Sequence, residues 1–162
     1  MNKGKTTTNF IVLLFILVAL SACSNNQNKI AMNELAEDNL YHYENKVLGF
    51  RIDLPPEFIY YQTQRHDFAE FSDLEILVPT GDPEFVGVVP NHASPLTIRV
   101  FNRASWEETV SNDDKMKNTY EKIGEKDEKI YTIYISDNMP SDWKEKWTPE
   151  MIDTIKKSFL AL

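Results

Sequence analysis

The chain has 162 residues, and its 17 Lys and Arg against 25 Asp and Glu give a formal charge of −8. Residues 1–22 hold Lys3 and Lys5 but no acid, so the rest carries 15 basic against 25 acidic side chains, a net of −10. That balance argues against nucleic acid, which is gripped through its phosphates by Lys and Arg, and against adhesion to anionic lipid through protein charge.

From the N-terminus, Lys3 and Lys5 precede an unbroken apolar run, FIVLLFILVAL at residues 10–20, which ends in the small pair Ser21 and Ala22. Charged, apolar and small segments in that order make a secretory signal. The run is too short for a spanning helix, which needs about 20 apolar residues. Leu20, Ser21, Ala22 and Cys23 resemble the lipobox of bacterial lipoproteins. The resemblance implies peptidase recognition through Leu20, Ser21 and Ala22, cleavage before Cys23, and acyl chains on that cysteine. Two or more chains hold a protein on a membrane where one holds it only marginally. Lipid attachment at Cys23 places the domain on the extracytoplasmic face of a bacterial membrane. Because Cys23 is the sole cysteine, the exported part then has no disulfide, no cysteine nucleophile and no thiolate metal site.

Residues 23–39 form the lipidated N-terminus and a polar tether, poor in aromatics. A flexible chain of about 15 residues reaches roughly 20 Å. Residues 40–162 fit one domain with one core.

In that domain, Phe50, Ile52 and Leu54 alternate with Arg51 and Asp53, the period of a half-buried strand. The preceding LYHYE segment supplies its hairpin partner. Pro55 and Pro56 end the ladder, since proline lacks the N–H. Further strands are predicted at Phe58–Gln64, Leu74–Val78, Leu96–Phe101, Tyr120–Gly124 and Lys129–Ser136. Their short spacings leave no room for crossover helices, so the fold class is α+β with a mainly antiparallel sheet. Ser105 is expected to cap a helix carrying Trp106, Val110 and Met116. Thr148 and Pro149 open a second helix, whose apolar stripe is Ile152, Ile155, Phe159 and Leu162.

The opening Tyr43, Asn45, Gly49, Phe50, Ile52, Leu54, Pro55 and the terminal Ile155, Ser158, Phe159 resemble PsbP-like domains. Phe58 stands where that family carries a tryptophan. The resemblance covers the domain from about Tyr41 to Leu162 and implies a twisted antiparallel sheet flanked by helices. The family includes the extrinsic photosystem II protein and many small bacterial lipoproteins.

Signals for chemistry are sparse. His42, His66 and His92 show no helical pair and no zinc-type context. His66 beside Asp67 lacks a serine in a nucleophile elbow. The four glycines after residue 22 form no phosphate-cradling cluster. The SDNMPSDW stretch holds Asp137 and Asp142 without the spacing of a calcium loop. No cofactor and no metal is therefore expected. Two features suit recognition of a protein partner. One is the loop 81–95, with Phe85, Val86, Val88 and Val89, which serves either the core or a partner. The other is the pair Trp143 and Trp147, which serves either the end of the core or a binding hot spot. The sequence favours a non-enzymatic binding or assembly module. The alternatives are a hydrolase with a dispersed site and a sensor of a small ligand or cation.

Overall fold

The computed structural model describes residues 34–112 and 119–162. The expected signal segment with Leu20, Ser21, Ala22 and Cys23, most of the expected tether and Met116 lie outside the described residues. Residues 34–39 form an exposed turn leading into the domain.

Among the described residues, eight strands and two α-helices follow in chain order: β1 Tyr41–Asn45, β2 Phe50–Leu54, β3 Gln62–Asp67, β4 Phe71–Pro79, β5 His92–Asn102, α1 Arg103–Asn112, β6 Glu121–Lys126, β7 Lys129–Ile135, α2 Pro149–Ser158 and β8 Leu160–Ala161. All pairings are antiparallel. The strands form two sheets, one in the order β1-β2-β8 and one in the order β3-β4-β5-β7-β6, where the sequence suggested a single sheet. The α+β class and the antiparallel pairing stand; the split follows from the prolines after β2. Pro55 and Pro56 lead into a 3-10 turn at Pro56–Phe58, and Tyr60 has φ 63°. Proline suits the first turn of a helix and cannot donate to a ladder. The strand expected from Phe58 therefore begins only at Gln62, in the other sheet.

The core lies between the sheets. Phe50, Ile52 and Leu54 of β2 meet Leu74, Ile76 and Val78 of β4, Leu96, Ile98 and Val100 of β5, and Tyr131 and Ile133 of β7. The β1–β2 turn is latched to β7. Asn45 Oδ1 accepts the Leu48 N–H at 2.9 Å, and the Tyr131 hydroxyl donates to the Gly49 carbonyl at 2.9 Å. Gly49 has φ +80°, and a Cβ there would lie 3.2 Å from that hydroxyl. Only glycine meets both demands without strain.

The first helix starts earlier than expected. Asn102, not Ser105, caps it, its Oδ1 accepting the Ser105 N–H at 2.8 Å. The second helix opens as read: the Thr148 hydroxyl accepts the Met151 N–H at 3.2 Å and Pro149 occupies the first position. Its stripe ends differently. α2 stops at Ser158, and Phe159 takes an extended backbone at φ −61°, ψ 131°. The chain then pairs with β2, Arg51 opposite Leu160 and Phe50 opposite Ala161. Leu162 consequently leaves the stripe and is 42% exposed. The inward residues are Met151, Ile155 and Phe159, four apart. Phe159 packs on Phe50 and Tyr131, with ring centroids 5.7 and 5.2 Å away. It fits because Gly124 has no side chain: a Cβ there would lie 2.6 Å from the Phe159 ring.

Removing the fully buried Ile155 side chain with Ile155→Ala should cost about 2–5 kcal/mol. Leu162→Ala should change stability by no more than about 0.5 kcal/mol. Denaturant titration of both variants checks this, and equal losses would return Leu162 to the core.

Candidate functional site

The five-stranded sheet buries one face in the core and turns the other away from it. Partners in an antiparallel ladder share a face, so the register sorts the second face into rows. One row runs His66, Asp73, Arg99, Thr132 and Lys122 across β3, β4, β5, β7 and β6. The next runs Gln64, Glu75, Thr97 and Tyr134.

The first row carries a buried ion pair. Arg99 donates twice to Asp73, Nε to Oδ1 and a terminal nitrogen to Oδ2, both at 2.7 Å. The guanidinium lies 3.6 Å from the Phe71 ring centre and 4.2 Å from that of Tyr120. Such stacking suits the planar, weakly hydrated guanidinium. Burial pushes the Tyr120 hydroxyl above the usual phenol range; Arg99 opposes the shift, and Asp73, Tyr134 and Glu75 add to it. Beyond the pair, Phe101 packs against Trp106 of α1 with ring centroids 5.3 Å apart, so the helix covers this end of the face.

The other end is open. Over the second row lies a groove of about 310 Å³, with Glu75, Leu77, Thr97 and Tyr134 in its floor, Tyr120 on one side and residues Phe85 to Val89 on the other. Glu75 forms no hydrogen bond or ion pair with the described residues, whereas its neighbour Asp73 is fully matched.

The loop walling the groove is built by short-range turns and two carboxylates. Asp142 accepts the Thr80 hydroxyl at 2.7 Å and the Gly81 N–H at 2.9 Å. In return, Asp82 accepts the Ser141 N–H at 2.8 Å. The N–H of Ser141 holds the Asp82 carboxyl below the usual carboxylate range. Asp142 is thus a loop latch, and Asp137 is exposed. Among the described residues no group of three or more His, Cys, Asp or Glu side chains converges on a metal position.

The two recognition features separate. Phe85 is half-buried and packs against the core, while Val86 and Val88 are 90% and 98% exposed at the groove rim. Trp143 is buried and Trp147 half-buried; both contact Phe58, at 5.5 and 6.1 Å between ring centres. Their indole N–H groups donate to the carbonyls of Pro79 and Ser136. The tryptophans therefore close the end of the core, the more ordinary of their two roles, and Phe58 sits between them.

The histidines are scattered. His92 lies in the groove wall with Nδ1 3.0 Å from the Pro90 carbonyl. His66 and Asp67 are consecutive strand residues and point to opposite faces; Asp67 accepts instead from Ser72 and Arg65. His42 sits far from these in the smaller sheet, with Nδ1 2.7 Å from Asp53 and Nε2 3.2 Å from Asp38. What sequence reading missed is the Glu75 row. Its members lie in four separated segments, so only the strand register unites them.

Two predictions follow from these charges. Arg99→Met strands a buried carboxylate and should cost about 3–5 kcal/mol, whereas Arg99→Met with Asp73→Leu should cost far less. Denaturant titration decides, and an equal loss in the double variant refutes the ion-pair account. For His42, the hydrogen bond to Asp53 raises the imidazole above its ordinary value of 6.5; partial burial opposes the shift, and the charges of Asp53 and Asp38 reinforce it. The stabilisation is complete below 6.5 and is lost as pH rises through the folded-state value. An NMR titration of His42 should give a midpoint above 6.5, and Asp53→Asn should lower it; a midpoint at or below 6.5 contradicts the pairing. The chain matches no protein-family model, no curated protein and no solved structure.

Proposed function

We propose that this chain is a lipid-anchored, extracytoplasmic binding module with a PsbP-like domain, held to its membrane through Cys23 and presenting the groove over Glu75 to its ligand. The observation that carries the binding role is the groove itself. A carboxylate without a partner among the described residues lies beside aromatic rings, under a rim of exposed valines, on a sheet face that α1 covers only in part. Small-molecule sites combine apolar walls with a few placed polar groups, and they start at about 300 Å³.

The anchor reading rests on the order of charged, apolar and small residues before Cys23. The PsbP-like reading draws support from the tasks of the residues that carry the resemblance. Asn45 and Gly49 build the turn, Phe50, Ile52 and Leu54 fill the core, and Ser158 meets the edge of β2, its hydroxyl accepting the Asp53 N–H at 2.9 Å. A tether of roughly 20 Å keeps the groove close to the membrane, where a membrane protein or a small exported ligand is met.

Cells expressing the wild-type chain should incorporate labelled fatty acid into it, and Cys23→Ala should abolish the label and leave a larger, uncleaved precursor. Equal label in both proteins would sink the anchor.

A further inference from the structure

The two neighbouring rows of the second sheet face treat their carboxylates differently. In the first, Asp73 on β4 faces Arg99 on β5, and aromatic rings cover the guanidinium on both sides. One step along the same strands, Glu75 faces Thr97 on β5 and Gln64 on β3. Neither neighbour supplies a positive charge. The next position in the row is Tyr134, whose ring lies 5.8 Å from that of Tyr120. A carboxylate in a row flanked by aromatic rings, Phe71 and Tyr120 in the first and Tyr134 and Tyr120 in the second, thus recurs without the cation that completes the first row. The groove lies directly over this row, and Leu77 in its floor and Phe85 in its wall give it an apolar side.

We infer that the groove binds an organic cation, an aliphatic stem ending in an ammonium group, with the ammonium on Glu75 beside Tyr134 and Tyr120 and the stem along Leu77 and Phe85. This rests on the groove being the binding face. An ammonium offers three donors, to a carboxylate that has none among the described residues, and it gains further from the negative face of an aromatic ring. The net charge of −10 outside the signal segment favours approach of such a ligand and disfavours an anion. The stem supplies what a bare metal ion cannot: contact with the apolar wall. An ammonium of this kind belongs either to a free alkylamine or to a lysine side chain of a protein partner.

The test uses the full chain, isotope-labelled and held in detergent micelles, with three five-carbon probes: pentylamine, pentanol and pentanoate. Pentylamine should shift the amide signals of Glu75, Thr97 and Tyr134, and pentanol and pentanoate should not. Glu75→Gln should weaken pentylamine about tenfold or more, the loss expected for a charge-assisted hydrogen bond. Tyr134→Leu, which keeps the bulk but removes the ring, should weaken it about threefold. Unchanged melting temperatures are required of both variants, and Tyr134→Leu decides if Glu75→Gln melts early. Tighter binding of Nα-acetyl-lysine methylamide than of pentylamine assigns the cation to a protein partner, and the reverse assigns it to a free amine. If pentanol or pentanoate shifts the groove and pentylamine does not, the cation inference falls and the groove stands as the binding face. If none of the probes shifts it, both readings fall.

Discussion

β5 is buried along both faces, and the architecture answers to that constraint. From Pro95 to Phe101 every residue of the strand is buried. A strand in that position usually reads as a continuous apolar run, but β5 places Arg99 in the middle of its second face. A charge there is tolerable only when paired and hydrogen-bonded. Asp73, directly across on β4, meets the requirement with two bonds, and the Phe71 and Tyr120 rings replace the water that would otherwise cover the guanidinium. The same pair explains why the second face can be half covered and half open. Once Arg99 is satisfied from within the sheet, only the aromatic end needs a lid, and α1 supplies it through Trp106.

The smaller sheet depends on the larger one. A three-stranded sheet whose last strand has two residues cannot stand alone. It is held by its apolar face and by a polar latch at the β1–β2 turn, where the Tyr131 hydroxyl and the Lys129 ammonium reach the carbonyls of Leu48 and Gly49. Phe159 completes the junction. It leaves the end of α2, crosses over Gly124 and lies against both Phe50 and Tyr131. Three segments distant in sequence, at residues 49–50, 124–131 and 159, therefore form one contact.

The acidic surface has more than one role. Asp82 and Asp142 spend their carboxylates on each other's loops, which fixes the wall of the groove. Asp73 neutralises Arg99, and Asp53 holds His42. Glu75, by contrast, is left without such a partner among the described residues, in a groove with aromatic and apolar walls. The candidate site is thus distinguished by an unmatched group within a face where the adjacent carboxylate is matched.

Periodicity and chain punctuation were enough to expose most of the strands, the antiparallel class and the start of α2, because these are local. Alternation in FRIDL and the Thr148–Pro149 cap act over a few residues, and the chain obeys them in place. What required tertiary structure was every decision between distant segments. The division into two sheets, the exit of Leu162 from the helical stripe, and the burial of Trp143 against Phe58 depend on which surfaces meet. No periodicity encodes that choice. The groove belongs with them: Gln64, Glu75, Thr97 and Tyr134 become one row only through the register of four strands, set by the packing of the residues between them on the opposite face.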